Sequence, residues 1–278
     1  MSRKASGAFG ELWEIVKTLF WAAVIAIVIR TFAYEPFNIP SSSMVPTLLI
    51  GDYLFVSKSA YGYGKYSFPG DLVPVEGRVW EGDPERGEVI VFRPPGEPDT
   101  DFIKRLIGLP GDRVQMRQGR LYINDVMVER QRIEDYVNPD DPGAGPVPQY
   151  METLPGGVTH RIIEMQGDLG GNDDTPVFVV PAGHYFMMGD NRDGSADSRE
   201  LSQAKFVSDP AAFKAKCENG TIDASAADCF SKVGFVPKEN LIGPAKILFW
   251  SYDSSNRWYN PITWITALRF GRLFNVIE

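Results

Sequence analysis

Beyond residue 34 the chain holds no apolar stretch that is long enough, or regular enough at a 3.6-residue spacing, to form a principal helix. Short apolar runs recur instead between turn residues: YLFVSK (53–58), EVIVFR (88–93), FIKRLIGL (102–109), RLYIND (120–125), VFVV (177–180), HYFMM (184–188) and KILFWSY (246–252). Runs of this length, rich in β-branched and aromatic side chains, read as strands. The 27 glycines and 21 prolines among 278 residues exceed the roughly 12% usual for the two together, and they supply the turns. The expected fold is mainly β, an antiparallel β-sheet core built from residues 36–115 and 177–278. A smaller β-rich domain, 116–176, is inserted into it, and residues 137–149 and 167–176 are loops by composition. From about 200 to 232 the character changes. Asp209 and Pro210 make a cap and first-turn proline ahead of AAFKAKC, which predicts a helical insertion.

Residues 1–35 are of another kind. Thr18–Ile29 carries no charge, and Trp13–Tyr34 makes 22 residues, about 33 Å of helix. Glu14, Lys17 and Arg30 lie near its ends, where long side chains reach the headgroup layer. No small-residue cleavage site follows, so the segment reads as an uncleaved transmembrane anchor. Arg3, Lys4 and Lys17 precede the run. That bias predicts a single pass with a cytoplasmic N-terminus and the rest of the chain on the extracytoplasmic side, which for a plasma (inner) membrane anchor is the periplasmic face.

A net charge of −8 argues against nucleic acid as a partner. Two cysteines and two histidines leave almost no means of building a Cys/His zinc cage, and neither metal nor cofactor is expected. Cys217 and Cys229 close a short span in a segment expected to face the oxidising side, where a disulfide is expected.

Three segments carry candidate chemistry. IPSSSMVPT (39–47) sets three serines between prolines, a stiffened loop suited to a nucleophile that needs a base. In FIKRLIGLPGDRV (102–114), strand alternation sets Phe102, Lys104 and Leu106 on one face and Ile103, Arg105 and Ile107 on the other. A lysine between two large apolar neighbours loses hydration, and its pKa falls. GDNRDGSADSR (189–199) is dense in acids, arginines and serines. Read as an EF-hand it would put Gly189 at the first ligand position, so that reading fails.

With VPAGHYFMMGD ahead of the third cluster and VGFVPKENLIGPA after the insertion, these segments resemble, in order, the bacterial type I signal peptidases. The resemblance implies a membrane-anchored serine endopeptidase acting on the signal peptides of preproteins through an acyl-enzyme. It implies Ser43 as nucleophile and Lys104 as general base, with Ser41 and the Ser43 amide as the oxyanion hole. By the same resemblance Ser195 steadies the lysine, and Asp197 pairs with Arg199 and Arg105. Ser42 departs from the family pattern where glycine is frequent. Met44, Leu48 and Phe102 are expected to form shallow apolar substrate pockets, and Trp258, Tyr259 and Trp264 with Arg257, Arg269 and Arg272 a surface toward membrane lipid. Two other readings stand beside this one: a triad of Ser43, His184 and an aspartate such as Asp190, and a non-catalytic membrane-tethered β domain that binds partners.

Overall fold

The computed structural model describes residues 8–67, 77–95, 97, 99–202, 233–253 and 267–277. The helical insertion beyond residue 202, Cys217 and Cys229, and Arg257, Trp258, Tyr259 and Trp264 lie outside these residues.

The chain opens with one helix, α1 (Ala8–Phe32). Most of its described large side chains are left open: Leu12, Trp13, Leu19, Phe20 and Ile27 are all more than half exposed. A helix apolar on every side is built for apolar surroundings. The uncharged run Thr18–Ile29 covers only about 18 Å, against about 30 Å of bilayer hydrocarbon. Among the described residues no helix is by itself long and apolar enough to cross a membrane. Lys17 and Arg30 bound the uncharged stretch at its two ends.

Among the described residues after α1 the extended structure is β, broken only by short 3-10 turns, in keeping with the expected mainly β class. The strands are β1 (Tyr34–Asn38), β2 (Asp52–Ser57), β3 (Val89–Phe92), β4 (Phe102–Gly108), β5 (Arg113–Arg117), β6 (Arg120–Ile123) and β7 (Val126–Met127). They continue as β8 (Glu129–Arg132), β9 (Gln149–Thr153), β10 (Thr159–Ile163), β11 (Phe178–Val179), β12 (His184–Met188), β13 (Val236–Pro237) and β14 (Leu241–Ser251). A seven-stranded antiparallel sheet runs β1-β2-β14-β3-β4-β12-β13. The segment between β4 and β12 supplies two smaller sheets, β11-β5-β6-β7 and β10-β9-β8. Two of its hairpin turns, Gln118-Gly119 and Asn124-Asp125, have φ values of 47° and 69° and of 53° and 65°. Positive φ at both central positions matches the twist of the flanking strands.

β4 lies inside the large sheet, paired with β3 on one side and β12 on the other. Its side chains enter apolar clusters on both faces. Leu106 packs with Ile90, Phe92 and Met187, Ile107 with Val114 and Phe186, and Ile103 against Met44 and Val89. Lys104 and Arg105 are consequently buried at 4% and 0% exposure, far from the solvated face a Lys-Arg pair usually occupies. The C-terminal arginines also turn inward. Arg272 donates to Asp52 Oδ2 at 2.6 Å and Arg269 pairs with Asp140. Carboxylates claim both charges, Asp52 fully buried and Asp140 half-buried.

Candidate active site

β1 ends in the turn that carries the serines, and Ile39, Met44 and Leu48 anchor that turn in the core with Leu54 and Val56. Met44 and Leu48 are 1% and 0% exposed. They fasten the nucleophile loop to the sheet, and the expectation that they wall an open substrate pocket is corrected; Phe102 is half-buried. Asp52 fixes the far end of the loop by accepting the Leu49 N–H at 2.8 Å and the Ser251 hydroxyl at 2.6 Å.

Ser43 is the buried member of the three serines, while Ser41 and Ser42 are exposed. Lys104 Nζ lies 2.6 Å from Ser43 Oγ and 5.6 Å from the centre of the Phe102 ring. Burial lowers the Lys104 pKa to about 8, against the opposing pull of Asp197 and Asp190. At that pKa the amine is neutral often enough near pH 8 to accept the Ser43 proton. Ser41 Oγ is 3.4 Å from Ser43 Oγ, and among the described residues the Ser43 N–H donates to no other group. The Ser41 hydroxyl and the Ser43 N–H are thus both near the nucleophile and available to a substrate oxyanion.

The 189–199 loop packs over this turn. The Asn191 N–H donates to the Ser43 carbonyl at 3.1 Å, and the Asn191 side chain donates to the Ser42 carbonyl at 3.1 Å. Gly189 allows the approach: a Cβ there would collide with Ser195 Oγ and with the Ser43 carbonyl oxygen. Ser195 is buried, yet its Oγ makes no hydrogen bond among the described residues, to the lysine or to any other group.

Buried ion pairs hold the loop. Arg105 donates to both oxygens of Asp190 at 2.9 Å, and Thr47 donates to Asp190 at 2.5 Å. Asp197 accepts from Arg199 at 2.9 and 2.8 Å and from the Gly189 N–H at 3.0 Å. Burial raises the pKa of both carboxyls, but the guanidinium against each outweighs it and holds them below the ordinary range. The expected Asp197–Arg105 pair is therefore corrected. Arg105 points from the opposite face of β4 to Lys104 and meets Asp190, whereas Asp197 keeps Arg199 two residues away.

His184 does not serve Ser43. The β4–β12 register sets Met188 opposite Arg105 and Phe186 opposite Gly108, so His184 lies five to six residues, roughly 16–20 Å, along the strand from Lys104. Its Nδ1 is 2.9 Å from the Ala182 carbonyl. The triad reading fails on this distance. His160 passed unnoticed in the sequence although it sits close to the site. It is buried, with Nε2 3.3 Å from Glu152 Oε2 and 4.0 Å from Asp190 Oδ1. Burial and Arg105 lower its pKa. The alternation of THRII, with Thr159 and Arg161 exposed and His160 and Ile162 buried, was the available signal.

Residues 12–250 match the family described as "Signal peptidase, peptidase S26". Signal peptidase I of Rickettsia typhi (strain ATCC VR-144 / Wilmington) is 38% identical over 267 residues, covering 90% of this chain and 88% of that protein. The signal peptidase I of Rickettsia canadensis (strain McKiel) is 34% identical over 275 residues, covering 93% and 91%. A solved signal peptidase I from Enterococcus faecalis V583 shares 23% identity and covers 59% of this chain and 97% of that one, with a TM-score of 0.29. The family match spans both the serine turn and the lysine strand, and the chain accordingly belongs to the signal peptidase I family (peptidase S26), membrane-bound serine endopeptidases that cleave signal peptides from preproteins.

Proposed function

We propose that Ser43 is the nucleophile of this peptidase and Lys104 its general base, and that cleavage proceeds through an acyl-enzyme. The observation that carries this reading is the 2.6 Å contact between a buried lysine amine and a serine hydroxyl. Neutral Lys104 takes the Ser43 proton as Oγ attacks the scissile carbonyl, the ammonium returns that proton to the departing amine as the peptide C–N bond breaks, and the regenerated neutral amine then activates the water that releases the acyl product. The Ser43 N–H and the Ser41 hydroxyl receive the oxyanion. Preprotein cleavage with sequenced product ends tests each role. Ser43→Ala should leave no cleavage, and Ser41→Ala should slow it by roughly 10²–10³-fold. His184→Ala should cleave like the wild type; a collapse in that variant would return the base to histidine.

We also propose that α1 holds the chain in the inner membrane as a single pass, N-terminus in the cytoplasm and β domain on the extracytoplasmic face. The exposed apolar side chains of α1 and the lysine and arginine excess before it support this. Because the uncharged run is short, crossing depends on Lys17 and Arg30 reaching out to the headgroups. Protease added outside intact spheroplasts should digest the β domain and spare an N-terminal tag. Loss of the tag would reverse the orientation.

A further inference from the structure

The 189–199 loop carries one acid that the catalytic reading does not use. Asp193 stands beside Glu164 and Asp173, and one oxygen from each of the three carboxylates lies within 4.8 Å of the others. We propose that Glu164, Asp173 and Asp193 form a binding site for a divalent cation of calcium's size.

Charge pairing supports this first. Each buried arginine in the neighbourhood already has a carboxylate of its own: Arg105 holds Asp190, Arg192 holds Glu152, and Arg199 holds Asp197. Arg130 binds both oxygens of Asp168, at 2.9 and 3.1 Å, and reaches Glu164 Oε1 only at 3.5 Å. Among the described residues the three acids therefore share a partly buried space with one long contact to Arg130 as their direct ion pair, while Arg192 and Arg199 attract Glu164 only from a distance. Like charges so placed repel unless a cation or protons intervene.

The second observation is an orphaned oxygen. Glu164 is 0% exposed, and its Oε2 has no hydrogen-bond partner among the described residues. A carboxylate oxygen left so is costly. The other two acids are oriented by the backbone. Gln166 N–H donates to Asp193 Oδ2 at 2.6 Å and Gly170 N–H to Asp173 Oδ2 at 2.5 Å. The second oxygen of each is left without a hydrogen bond among the described residues.

The donor set and spacing choose the ion. Three carboxylates and no nitrogen or sulfur suit a hard cation. Calcium–oxygen distances of 2.3–2.6 Å allow ligand oxygens up to about 4.6–5.2 Å apart on one ion, which accommodates three oxygens within 4.8 Å of one another, and calcium accepts irregular carboxylate geometry more readily than magnesium. The position also has a consequence. The site would join the 164–173 loop to the loop whose Asn191 N–H holds the Ser43 carbonyl.

Calorimetric titration of the full, detergent-solubilised chain after EDTA treatment provides the test, with thermal melts run in parallel. One calcium per chain should bind, with a dissociation constant on the order of 10⁻⁵–10⁻³ M. Saturating calcium should raise the melting temperature by several degrees, and magnesium should bind at least tenfold more weakly. Asp173→Asn and Asp193→Asn keep the backbone acceptor and remove the charge. They should abolish binding yet melt no lower than the wild type in EDTA, since repulsion is relieved. Absence of heat and of a melting shift up to 10 mM calcium would overturn the proposal. So would calcium binding retained in the double variant, or Asn variants that melt well below the wild type in EDTA, since the carboxylates would then be structural hydrogen-bond acceptors.

Discussion

Lys104→Met should lose cleavage by at least roughly 10²–10⁴-fold and still fold, more stably than the wild type at pH 6. The activity loss follows from removing the amine that faces Ser43 Oγ. The stability gain follows from the lysine's pKa, lowered by burial from 10.5 to about 8. Between those two values the unfolded chain binds more protons than the folded one, so stability rises with pH from about 8 to about 10.5. Below pH 8 the full cost of a buried ammonium is felt, on the order of 3 kcal/mol at about 1.36 kcal/mol per unit. A methionine of similar length is free of it. The wild-type acylation rate should climb through a limb near pH 8, the same group now read kinetically. Melts and single-turnover rates on shared samples from pH 5 to 9 check both. A variant that unfolds would make the lysine structural, and one that still cleaves would place the base elsewhere.

Arg105→Met should be the most destabilising single change near the site, by about 3–5 kcal/mol or roughly 6–20 °C in melting temperature. It leaves the fully buried Asp190 carboxylate with the Thr47 hydroxyl and, at 4.0 Å, the His160 ring. The pairing found here makes the rescue specific. Asp190→Asn added to Arg105→Met should recover most of the loss, because it removes the stranded charge. Asp197→Asn should recover none, since Asp197 keeps Arg199. Urea unfolding of the four chains gives the cycle, and rescue by Asp197→Asn instead would restore the pairing expected from the family pattern.

Local order was legible in the sequence because local rules govern it. The seven apolar runs form strands, for alternation and turn residues act over a few positions. The smaller strands β8, β9 and β10 were missed. ERQR, QYMET and THRII have no continuous apolar run and gain their structure from one another across β9. Phe102 and Leu106 do share a cluster, as alternation required, and the pKa of Lys104 falls where its apolar flanks placed it.

The sequence by itself determined the β class, the serine turn, the lysine strand and the apolar character of α1, because each rests on residue type within a short window. Tertiary structure decided which partner each buried charge takes. Arg105 could meet Asp190 or Asp197, and only the crossing of the 189–199 loop over β4 brings Asp190 to it. It also decided that Met44 and Leu48 face the core, that His160 rather than His184 stands near the site, and that Asp193 joins Glu164 and Asp173. Those contacts join segments far apart in the chain, and their energies depend on burial and angle, which a linear pattern does not carry.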